Sequence, residues 1–96
     1  MADDEKNAGL FMGLVMMFQA AAMQNMGKIK NPATDKIERQ LDQAQYIIDI
    51  LDMLVEKTKG NLNDDEKRFV SGVLQELKLN YVDEVNKGSS EQAKTQ

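Results

Sequence analysis

The sequence predicts an all-α protein of three helices, an apolar methionine-rich N-terminal helix followed by an antiparallel helical hairpin, assembled as an oligomeric bundle. Three observations carry this expectation. One proline and six glycines in 96 residues leave room for long uninterrupted helices. Two stretches space their apolar residues alternately three and four apart, the period of a helix with one buried stripe. Between Asn7 and Gly27 there is no charged residue, and a helix that is apolar all round must be covered on every side. Two neighbouring helices cannot easily wrap a third, so this segment points beyond its own chain.

Residues 1–7 read as a short disordered lead, polar and without an apolar period. A single helical domain follows over 8–86. Its first helix runs over 8–26, with Gly27 at the position of a left-handed C-terminal cap and Lys28 and Lys30 suited to the negative end of the helix dipole. Asn31-Pro32 marks a turn. The second helix is expected over 35–59, with Thr34 as N-cap and Ile37, Leu41, Ala44, Ile48, Leu51, Val55 and Thr58 along its apolar face. Gly60 closes it. The third is expected over 63–86, opened by Asn63 and Glu66 as a variant capping box, with Phe69, Val70, Val73, Leu74, Leu77, Tyr81 and Val85 inward. The short link between these two helices forces them antiparallel. Residues 87–96 form a polar tail, expected to be disordered.

On the first helix three strips separate at 100° per residue. Leu10, Phe11, Leu14, Val15 and Phe18 make a bulky strip suited to the hairpin. Gly9, Gly13, Ala20 and Gln24 make a small one, and Met12, Met16, Met23 and Met26 a methionine one. Gly9-x-x-x-Gly13 is a spacing that lets helix backbones approach closely. It serves equally a second subunit or a crossing helix of the same chain. Methionine fills cores and also lines adaptable binding surfaces. Gly9, Met12, Gly13, Met16, Ala20, Met23 and Met26 are therefore the candidate interface residues.

Composition excludes more than it selects. Sixteen acidic against twelve basic residues, net −4, lack the clustered positive charge of a nucleic-acid surface. There is no cysteine and no histidine, which removes thiolate ligands, the commonest metal ligand and the commonest general base. Glu38, Asp42, Asp49, Asp52 and Glu56 form an acidic ridge on the second helix, better read as a hydrated face than as half of a di-metal site. Tyr46, Ile50 and Met53 form a second apolar line beside it. No catalytic residue, cofactor or metal is expected. The acidic start Asp3-Asp4-Glu5 argues against a signal peptide, and Gln19, Gln24 and Asn25 argue against a membrane span.

The runs Asn31-Pro-Ala-Thr34, Leu41-Asp-Gln-Ala44, Ile48-Asp-Ile-Leu-Asp-Met-Leu54, Glu56-Lys-Thr-Lys-Gly-Asn-Leu62 and Leu77-Lys-Leu-Asn-Tyr-Val-Asp83 resemble a family of small bacterial proteins classed as a domain of unknown function. The likeness extends from about Phe11 to Asp83, and Asp35 stands where the family pattern would place glycine. The resemblance implies a small cytoplasmic bacterial helical protein and no activity. The Glu56–Leu62 run reads as structural. Thr58 can bond back along the helix, Gly60 ends it, and Leu62 plugs the hairpin end.

The functional expectation is a non-enzymatic homo-oligomeric scaffold or accessory protein, associating through its first helix with itself or with another protein. The alternative is a membrane-associated subunit or anchor that uses helix 8–26 as its membrane or partner segment.

Overall fold

The computed structural model describes residues 2–95, with side chains from 3 to 87. Three helices, α1 (Ala2–Asn25), α2 (Leu41–Lys57) and α3 (Asp64–Thr95), pack against one another, with no strand among the described residues. Asp52 of α2 pairs with Lys78 of α3, and Gln45 lies near Val82, so α2 and α3 run antiparallel. Gln19 of α1 meets Glu76 of α3, and Lys28 just beyond α1 meets Asp83, so α1 runs parallel to α3. The result is an up-down-up bundle around Val15, Ala22, Met26, Ala44, Ile48, Leu51, Val70, Val73, Leu74 and Leu77.

Several expected boundaries move. The lead over residues 1–7 is helical from Ala2, because Asp3, Asp4 and Glu5 place negative charge in the first turn, where the helix dipole favours it. The second helix begins at Leu41 rather than 35. Thr34 is not its N-cap; Gln40 is, and it makes no side-chain capping bond. The intervening residues are held by other hydrogen bonds. Asn31 Oδ1 accepts from Ala33 N at 2.8 Å, Asn31 O accepts from Asp35 N at 2.7 Å, and Asn31 N donates to Lys36 O at 2.8 Å. This closed turn sets Asp35 at φ 59, a left-handed conformation outside the helical region. Ile37, expected on the buried face, is exposed. Residues 36–40 form an extended strap instead, and Gln40 N donates to Asn25 O at 2.7 Å, satisfying a terminal carbonyl of α1.

Helix α3 continues through Thr95 rather than stopping at 86, since the Glu, Gln, Ala and Lys that follow Gly88 sustain a helical backbone. Of the expected polar tail, Lys87 pairs with Asp83 and Glu84, and the side chains from 88 onward lie outside the described ones.

The end signals are where the residue types demand them. Gly27 and Gly60 have φ 81 and 84, the left-handed values of helix C-terminal caps. Asn63 Oδ1 accepts from Glu66 N and Glu66 Oε1 accepts from Asn63 N, each at 2.8 Å, completing the reciprocal box. Thr58 Oγ1 donates to Leu54 O at 2.6 Å.

Candidate functional site on the outer face of the first helix

Helix α1 presents two apolar faces, and the chain covers one. The inner face is Phe11, Val15, Phe18, Ala22 and Met26, at spacings of four and three, with Val15, Ala22 and Met26 fully buried. Ala22 at the centre carries no more than a methyl group, so α1 can lie close to the hairpin there. The expected bulky strip is thus turned by roughly 40° at 100° per residue. Phe11, Val15 and Phe18 face in, whereas Leu10 and Leu14 face out.

The outer face is large and open. Met17 is 70% exposed, Leu10 61%, Met16 55% and Leu14 38%. Gly9 and Ala20 are exposed on the same side and Gly13 is half-buried. A Cβ built on Gly9 or Gly13 meets nothing within 4 Å. Neither glycine therefore accommodates a crossing helix of its own chain. A helical glycine loses about 0.5–1 kcal/mol relative to alanine, and here no packing inside the chain requires that loss.

The seven candidate interface residues divide accordingly. Gly9, Gly13, Met16 and Ala20 lie together on or beside the open face. Met12 is half-buried at its edge. Met23 packs against the core and Met26 is wholly inside it, so the methionine strip fills the chain's own interior at its C-terminal end.

The acidic ridge on α2 is hydrated. Asp42, Asp49, Asp52 and Glu56 are exposed, and Asp52 is engaged by Lys78 at 3.0 Å. Glu38 leaves the ridge altogether, because it sits on the strap and accepts from Asn31 Nδ2 and Thr34 Oγ1. No group of three His, Cys, Asp or Glu that could hold a metal occurs among the described residues. A shallow groove of about 390 Å³ between α2 and α3 is lined by Gln45, Ile48, Asp52, Lys78, Tyr81 and Val82. Tyr46 and Met53, from the second apolar line of α2, are exposed.

A charged cluster at one end of the bundle joins the connector after α1 to α3. Glu84 takes the inward position where Val85 was expected, and Val85 is 38% exposed. Its carboxylate accepts from Arg39 Nε at 3.1 Å and pairs with Lys28 at 2.7 Å and Lys87 at 3.2 Å. The Arg39 guanidinium also donates to the Glu84 carbonyl. Lys28 reaches Asp83 as well, at 3.0 Å. Its hydrogen bonds to Glu84 and Asp83 hold the Lys28 ammonium well above the ordinary lysine range. The same bond from Lys28 lowers the Asp83 carboxyl, and it lowers that of Glu84 against the opposing effect of burial. These ion pairs tie both ends of the connector to α3. The signal for this cluster was present in the sequence, since Glu84 continues the Leu77 and Tyr81 spacing of an inward stripe. A carboxylate in such a stripe calls for cations from elsewhere in the chain.

Among the described residues no helix is long and apolar enough to cross a membrane. No curated protein and no solved structure matches the chain. A family model does match, over residues 8–83, which is most of the bundle described above, and the chain belongs to that family, a domain of unknown function termed DUF1844.

Proposed function

We propose that this protein is a non-enzymatic, self-associating helical module of the cytoplasm, which serves as a scaffold or accessory protein through the outer face of α1. The observation that supports this reading is the contiguous open surface of Leu10, Gly13, Leu14, Met16, Met17 and Ala20 inside a stretch without a single charge. A contiguous exposed apolar face, unlike apolar residues scattered singly, marks an association surface. The perturbed titratable groups are engaged with one another in the Glu84 cluster, where they serve the fold, and that favours a binding role over a catalytic one.

Light scattering of the purified full chain across a dilution series, without detergent, tests the reading. A mass above that of the monomer, falling on dilution, is expected. A monomer mass at every concentration overturns it.

A further inference from the structure

Resting on the reading that this face meets a second copy, we infer the geometry of the pair: two α1 helices dock antiparallel, with Leu10 of each over Ala20 of the other and Met17 of each over Gly13 of the other. The outer face carries Leu10, Gly13, Met17, Ala20 and Gln24 at alternating spacings of three and four, the seam along which two helices interlock. Large and small residues alternate along it. In an antiparallel pair, the register that seats Leu10 on Ala20 also seats Met17 on Gly13, and it places Lys6 beside Gln24 at each end. Every large apolar side chain of the seam then meets a small one. A parallel pair would stack Leu10 on Leu10 and leave Gly13 facing Gly13, with crowding in one layer and a void in another.

Charge selects the same direction. Asp3, Asp4 and Glu5 open α1, and Asp64 and Asp65 open α3 at the same pole, since the two helices run parallel. The opposite pole carries the connector, where Lys28 and Arg39 are paired with Asp83 and Glu84 and Lys30 and Lys36 lie exposed beside Asp35. Antiparallel docking sets the acidic start of one α1, Asp3 to Glu5, beside Lys28 and Lys30, which follow the other, and opposes the helix dipoles. Parallel docking would set acid beside acid. Gly13, which no packing inside the chain requires, and the exposed Ala20 become the seats for Met17 and Leu10, the two most exposed large side chains of α1.

The absence of native cysteine permits a direct test. Leu10 and Ala20 lie about 15 Å apart along one helix, too far for a disulfide within a chain. Under mild oxidation the full chain carrying both Leu10→Cys and Ala20→Cys should run mainly as a covalent dimer, while either single variant gives at most a trace. Gly13→Leu should fold with undiminished helicity yet shift the mass toward monomer, because leucine fills the seat of Met17. Covalent dimer from the single variants alone would show a parallel pair and overturn the geometry. So would a wild-type oligomer whose double variant fails to cross-link and whose mass ignores Gly13→Leu, and in that case self-association itself survives. A wild-type chain that is monomeric throughout removes both.

Discussion

The two faces of α1 are built from the same residue types, yet one is sealed and the other is bare. Val15 and Met17 stand two residues apart, both uncharged and apolar, and their exposures are 0% and 70%. What separates them is neighbours rather than composition. The inner face follows spacings of three and four and packs into the core with Val15, Ala22 and Met26 fully buried. The outer face has its small residues where nothing in the chain approaches. Uniform apolarity therefore conceals an orientation, and the placement of small residues reveals it.

The strongest way to break this comparison is to put the same charge on each face. Val15→Asp buries an unpaired carboxylate and should cost on the order of 4 kcal/mol, enough to abolish cooperative melting. Met17→Asp should leave the melting of the dilute monomer within about 0.5 kcal/mol while eliminating any larger species. Circular dichroism melts of the two variants check this, and equal losses would mean that the outer face is not open.

A second test loosens the ion-paired end of the bundle, where the connector after α1 meets α3. Glu84→Gln removes the carboxylate shared by Lys28, Arg39 and Lys87 and should lower the melting temperature by roughly 5 °C. Because the carboxyls of Glu84 and Asp83 are lowered in the folded state, their contribution is complete above the unfolded carboxylate range, near pH 4, and is lost as pH falls through their folded values. Lys28 is raised, so its share is complete below the unfolded lysine value and is lost as pH climbs through the folded one. Between pH 6 and pH 3 the wild type should lose more stability than Glu84→Gln. Parallel pH profiles would show that the cluster contributes nothing to stability.

Smaller effects sharpen the contrast. Asp35→Gly should raise stability by about 1 kcal/mol by relieving a left-handed residue in the connector turn, as thermal melts would register. Gly9→Ala should raise it by about 0.5–1 kcal/mol, read in the dilute monomer, because the added methyl group meets open space. A loss at Gly9 would show that something inside the chain needs the glycine.

Much of the fold was legible because its signals are local. The reciprocal bonds of Asn63 and Glu66, the left-handed Gly27 and Gly60, and the inward series from Leu41 to Val55 each follow from residues within a turn or two of one another. The start of α2 was not legible, since Lys36 to Gln40 obey a helical period but are claimed by Asn31, Asn25 and Glu84 from elsewhere in the chain. The rotation of α1 was half legible. Its need for cover is plain in the sequence, but the choice between Leu14 and Ala22 for the inner face depends on the shape of the hairpin.

The position of Glu84 also bears on where this folding unit ends. The segment matched by the family stops at residue 83, one residue short of the carboxylate on which Lys28 and Arg39 converge. A fragment cut at that boundary would keep both cations and lose their shared anion, along with the last inward position of α3. The smallest piece that can be expected to stand alone therefore extends past the family segment, at least through Lys87, which pairs with both Asp83 and Glu84.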